Sequence, residues 1–325
     1  MNLSPGKNRI VKTLSLTFSI LLVFLSPSFV LPATAQDLAD SYVIQNFPAG
    51  VGPFHLAYDG ANIWATNSFV NTVTKVRGSD GVILGTFSVG DTPNQIVFDG
   101  ENIWIGNVHD DTVSKLRASD GTTLATYAAT RGPEGMAWDG ANLWVASFYD
   151  LTVTKLRGTD GMVLGTFPVD GVAWDVYFDG ENIWLANSTH DNVTKLRASD
   201  GARLGKVQVG DYPLALGSDG AKLWAVTAFD DSVTAFQPTT GKVRGSFAVG
   251  DHPAGIAYDG ENMWVTNQYA DTVTLLRARD GLYKATLSVG DQPAGVIYDG
   301  SNIWVANVTS NTVSKISRGS NQNHR

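Results

Sequence analysis

Tryptophan recurs at positions 64, 104, 144, 184, 224, 264 and 304, always 40 residues apart. An Asp-Gly pair keeps step five residues before each one, from Asp59-Gly60 to Asp299-Gly300. A second Asp-Gly turn recurs at Asp80, Asp120, Asp160, Asp200 and Asp280, with Thr240-Gly241 in its place once. Seven copies without an insertion restrict the chain to architectures in which like units stack on one another or close into a ring.

Each unit reads as four short strands. In the sixth copy Ala254–Tyr258 is strand a, and Asp259-Gly260-Glu261-Asn262 is a hairpin turn. Met263–Asn267 is strand b, Thr272–Arg277 strand c, and Leu282–Val289 strand d. The β-branched and aromatic content suits strands, Asp-Gly suits tight hairpins, and nothing in the unit has a helical period. The expected fold is all-β: a single seven-bladed β-propeller of four-stranded antiparallel blades. The last copy stops near Ser317, after its strand c. Tyr42–Gly50, ahead of the first strand a, matches the strand d pattern of Leu84–Gly90. The N-terminal strand is therefore expected to complete the last blade and close the circle.

The propeller is assigned residues 36–317. Before it, Lys7, Arg9 and Lys12 precede an apolar run from Leu14 to Leu31, and Ala33-Thr34-Ala35 supplies an A-x-A site. Residues 1–35 read as a signal peptide cleaved after Ala35, which predicts an exported protein, periplasmic or extracellular. No transmembrane segment is expected after its removal, and a monomer is expected. The polar residues 318–325 read as a disordered tail. Export without any cysteine leaves stability to the core alone. Removing three of the 23 basic residues with the leader, against 31 acidic ones, leaves a net charge of −11. That balance argues against nucleic acid as a partner.

The seven repeat tryptophans read as core, one per blade, rather than as sugar-stacking platforms. Lys75, Lys115, Lys155, Lys195 and Lys315 form a row on strand c, expected to pack their stems on neighbouring blades with charges paired to nearby Asp. The a–b and c–d turns are nearly uniform and lie on one face, the bottom. The b–c and d–a loops lie on the top, where the copies diverge and where function is usually carried.

Two residues open each strand a, and the innermost strands border the central channel. These pairs are Phe54-His55, Asn94-Gln95, Glu134-Gly135, Trp174-Asp175, Leu214-Ala215, Ala254-Gly255 and Ala294-Gly295. Blades one to four supply the polar and large aromatic groups, and blade four has Ala173 where the others have Pro. A local rule broken once in a regular array marks the expected site. The candidate ligand-binding residues are His55, Asn94, Gln95, Glu134, Trp174, Asp175, Tyr212 and His252. Asn94, Glu134 and Asp175 are the candidate ligands for a divalent cation such as Ca or Mg. His109 and His190 lie in other top-face loops. The outer b–c loops around Phe69, Tyr149, Phe229 and Tyr269 offer a second interaction surface.

The segments Ile63-Trp64-Ala65-Thr66-Asn67 with Asn71–Val76, and Met263-Trp264-Val265-Thr266-Asn267 with Asp271–Thr274, resemble the YVTN repeat of YncE-like β-propellers. The likeness covers residues 42–317, with Trp where that family often has Tyr. It implies the propeller fold and a binding role, in some members linked to cell-surface assembly. More distantly the chain is similar to NHL-type propellers and to streptogramin lyases, whose chemistry uses a Glu, His residues and Mg²⁺ near the channel. Where that lyase motif carries its Glu, this chain has Asn67, Asn107, Ser147, Asn187, Thr227, Asn267 and Asn307. The expected function is a binding or interaction scaffold with a ligand site at the top of the channel. Its partner is a small molecule, a cell-surface component or a protein. The alternative is a metal-dependent lactonase- or lyase-like enzyme using the same mouth.

Overall fold

The computed structural model describes residues 34–319. Seven four-stranded antiparallel sheets stand in chain order, each built as the repeat predicts. Blade one is Pro53–Tyr58, Asn62–Asn67, Thr72–Arg77 and Ile83–Ser88, strands a to d from the channel outward. Blade seven takes its strands a to c from Pro293–Tyr298, Ile303–Asn307 and Thr312–Arg318, and its strand d from Tyr42–Pro48 at the other end of the chain. The closing register runs from Tyr42 opposite Arg318 to Pro48 opposite Thr312. Strand c of this blade thus continues to Arg318, and the Gly319 N–H donates to the Ser41 carbonyl at 2.8 Å. The rest of the expected tail, and the leader up to residue 33, lie outside the described residues. Thr34 caps a short helix, Ala35–Ala39, whose Leu38 and Ala39 pack against the core between blades six and seven.

The repeat tryptophans are at most 2% exposed. Each packs its own blade on the next: Trp64 and Val73 of blade one meet Ile96, Ile103, Ile105 and Leu116 of blade two. Trp304, Ala306 and Val313 of blade seven meet Leu56, Ile63 and Val76 of blade one, so the core is continuous around the ring. A buried indole N–H needs an acceptor. The turn aspartate supplies it: Trp64 Nε1 donates to Asp59 at 2.9 Å and Trp304 Nε1 to Asp299 at 2.7 Å, with the same bond in the other five blades. The period-defining Trp and Asp-Gly are therefore one unit, a turn that ends in the core.

The lysine row links the blades. Lys75 lies over the Trp64 ring, 5.1 Å from its centre and 3.8 Å from Asp59, and donates to the Ala118 carbonyl of blade two at 2.6 Å. Lys115, Lys155, Lys195 and Lys315 reach the next blade in the same way. Blade five has Ala235 at this position, and Lys222 from its a–b turn covers Trp224 and meets Asp219 at 2.7 Å instead.

Candidate functional site

Every innermost strand is bulged at its top. In blade one Pro53 stands opposite Asn67 but Leu56 stands opposite Ala65, so one residue between them is extra. The same shift occurs in the other six blades. A bulge re-aims side chains, and here it acts on the two residues that open strand a. The result is a pocket of about 350 Å³ at the channel mouth. Six of the eight predicted residues line it: His55, Asn94, Glu134, Trp174, Tyr212 and His252.

Its polar wall is a chain of side chains from blades one to three. The Asn94 amide donates to Glu134 Oε2, and its carbonyl oxygen lies 2.9 Å from His55 Nδ1. This network assigns the His55 proton to Nδ1 and leaves Nε2 as an acceptor. Burial pushes the pKa of the His55 ring down to about 4, so the ring is neutral. Burial also pushes the Glu134 carboxyl up to about 7, against the opposing Asn94 hydrogen bond. Glu134 is 7% exposed, and no protein donor among the described residues reaches its Oε1.

Gln95 and Asp175 stand apart from this pocket. Gln95 donates to Asp175 at 3.3 Å, and the two Asp175 oxygens accept the N–H groups of Val176 and Leu216, each at 2.9 Å. Burial pushes the Asp175 carboxyl up to about 7. Because Leu216 belongs to blade five, Asp175 joins two innermost strands.

The opposite wall is aromatic and comes from blades four to six. Tyr212 stacks on Phe229 with centres 4.4 Å apart, and His252 stacks on Tyr269 at 4.3 Å. Phe229 and His252, 5.7 Å apart, join the two pairs, while Trp174 tilts against Tyr212 at 6.4 Å. The small Ala254 and Ala294 leave the space below. Phe229 and Tyr269 thus belong to the mouth as well as to the outer loops. Phe54 lines it as one of the two residues that open strand a, while Gln268 is brought there by loop geometry that the repeat pattern does not mark.

That geometry rests on a bond between neighbouring blades. Tyr212 and His252 have φ of 57° and 50°, rare for bulky residues. Their N–H groups donate to Asp191 and Asp231 at 3.2 and 2.9 Å. The same clip recurs at Gly52, Thr92, Gly132 and Gln292. It fails only before blade four, where Leu151 replaces the Asn or Asp and Val172 donates to Thr189 instead. Blade four, singled out by Ala173, is irregular in its backbone too. There Trp174 lines the pocket while its Nε1 is buried without a partner.

His109 and His190 are on the outer rim, bonded to Thr92 and Thr189. A divalent cation does not fit the Asn94, Glu134 and Asp175 set. The Asp175 oxygens are held by backbone N–H groups, and the amide of Asn94 already bridges His55 and Glu134. Among the described residues no three His, Asp or Glu side chains are grouped to hold a metal. Asn67, at the lyase carboxylate position, is fully buried and ties Gly50, Thr72 and Thr74 together. A larger hollow of about 650 Å³ opens at the bottom between blades five and six, beside Lys222. Most of its charges are paired: Lys222 with Asp219, Arg277 and Arg279 with Asp280, and Glu261 with Arg318.

No protein-family model matches the chain, and neither does any curated protein. Solved structures that it resembles include a streptogramin B lyase, with 16% identity and a TM-score of 0.75 over 86% of this chain and 98% of that one. Kuenenia stuttgartiensis hydrazine synthase matches with 19% identity and a TM-score of 0.72 over 84% of this chain and 97% of that one. The WD40 β-propeller domain of Doa1 matches with 13% identity and a TM-score of 0.74 over 86% and 98%. At these identities the likeness is one of fold, and the chain is a seven-bladed β-propeller.

Proposed function

We propose that the protein is an exported binding scaffold, periplasmic or extracellular, that takes a small molecule in the mouth of its central channel. The pocket carries this reading: a hydrogen-bonding wall of His55, Asn94 and Glu134 faces an aromatic wall running from Trp174 to Tyr269. Such a pair of walls suits a ligand with one flat apolar side and one polar edge. No Lys or Arg lines the pocket, which disfavours phosphates and carboxylates. The leader motif of residues 1–35 supports export, and the likeness of the repeat to YVTN/YncE-like propellers supports a binding role. At the mouth His55 and Glu134 are each bonded to the neutral side-chain amide of Asn94 and not to one another, which favours a binder over a lactonase- or lyase-like catalyst.

The test fills the pocket. A fragment set is screened by ligand-observed NMR against the protein and against Ala254→Trp, which places an indole in the mouth. Fragments that bind the protein and lose binding in the variant, with the melting temperature unchanged, are expected. Binders indifferent to the substitution would place the site elsewhere.

A further inference from the structure

Glu134 is a buried carboxyl without a counter-ion. It is 7% exposed, it makes no ion pair among the described residues, and its one protein partner is a neutral amide. Proteins pair buried acids or pass them to a ligand, because an isolated charge out of water is costly. The free Oε1 belongs to a side chain that lines the pocket, and the facing wall is aromatic.

Trp174 points the same way. Its indole N–H is buried without an acceptor, which is costly. Turning the N–H toward the open mouth would remove that cost. The fold instead keeps the polar edge inside and gives the carbon part of the ring to the pocket. The same wall continues through the stacked Tyr212 and Phe229 and the stacked His252 and Tyr269.

An acid without a counter-ion opposite aromatic rings, in a pocket lined by no lysine or arginine, complements one chemical class. We propose that the mouth binds an organic cation, an alkylated ammonium group set against Trp174 and the Tyr212–Phe229 pair, with Glu134 as its counter-ion. Aromatic rings attract such cations through their quadrupole, and the attraction grows when water is excluded. A cation beside Glu134 also favours its ionised form, opposing the effect of burial. His55 does not compete for the carboxylate, because it is neutral and spends its Nδ1 proton on Asn94. This inference rests on the mouth being a ligand site and adds the ligand's charge.

The probes are choline and its uncharged carbon isostere 3,3-dimethylbutan-1-ol, titrated calorimetrically into the protein and two variants. Choline is expected to bind at least about ten-fold tighter than the isostere. Glu134→Gln keeps the Asn94 bond and is expected to bring the two within about three-fold of each other. Trp174→Leu is expected to weaken both. Equal binding of the two probes, binding of neither, or a choline preference that survives Glu134→Gln would each overturn the cation proposal. In those cases a neutral fragment displaced by Ala254→Trp keeps the mouth as a ligand site, while choline binding that persists in Ala254→Trp removes the mouth as well.

Discussion

The ammonium of Lys315 in blade seven donates to the carbonyl of Gly78 in blade one at 2.7 Å, spanning 237 residues of sequence. Lys315 is only 8% exposed and lies over the Trp304 ring. It repeats at the seam of the ring the contact that Lys75 makes between blades one and two. Lys315→Met keeps the stem and removes the charge, leaving the carbonyl without its donor. A loss of about 1–3 kcal/mol is expected in denaturant unfolding. A midpoint equal to that of the unchanged protein would show that the seam does not depend on it.

Blade five supplies an internal test of the same contact. Lys222 replaces the Asn found at this turn position elsewhere and covers Trp224 from the a–b turn, not from strand c. Lys222→Asn is expected to destabilise by about 1–2 kcal/mol. Adding Ala235→Lys restores the row lysine over Gly245, the residue type that faces Lys75 in blade one. The second change should recover most of the loss, read as a coupling energy in a double-mutant cycle. Additive destabilisation would contradict the substitution of one lysine for the other.

Deleting residues 36–50 removes the strand that closes the ring. Its backbone bonds to strand c are worth roughly 0.5–1.5 kcal/mol net each. The Tyr42 ring on Trp264 and the Phe47 ring on Trp304 go with them. The melting temperature should fall by many degrees, and the exposed edge of Thr312–Arg318 should promote association. Unchanged thermal unfolding would mean that the remaining blades hold without closure.

Glu134 makes stability depend on pH. Its carboxyl titrates near 4.5 in the unfolded chain and near 7 in the folded one. Between those values the unfolded chain gives up a proton that the folded protein keeps, so stability falls as pH rises from about 4.5 to 7. Asp175 acts in the same sense. His55, depressed to about 4, acts oppositely, adding stability as pH rises from about 4 to 6.5. The separable quantity is the difference between the protein and Glu134→Gln. The variant should be more stable by about 2–3 kcal/mol at pH 8 and equal at pH 4. A gap independent of pH would show that the carboxyl is ionised in the folded state.

Much of this fold is legible in the residues because one 40-residue period carries both the core and its turns. Trp64 predicts Asp59, and the strand-like Tyr42–Gly50 finds its place from the missing strand d. The Lys75 row, expected as stems on neighbouring blades, has that role with its ammonium on the next blade's backbone. The mouth is legible only in part. The bulge that turns Phe54 and His55 leaves no mark in composition. The left-handed Tyr212 and His252 depend on carboxylates of Asp191 and Asp231 about 20 residues earlier, so the aromatic wall arises from blade-to-blade geometry. Asp175, expected beside Glu134, is held instead by the Leu216 N–H of the next blade. Its replacement by Ala should therefore cost stability, unlike that of Glu134.

The proposed cation site at the mouth is open to direct observation. A crystal structure of the protein with choline tests it most directly. The trimethylammonium group is expected against Trp174 and the Tyr212–Phe229 pair, within about 4–6 Å of the Glu134 carboxylate and the ring centres. Choline found in the hollow between blades five and six, or an unfilled mouth at saturating choline, would contradict it.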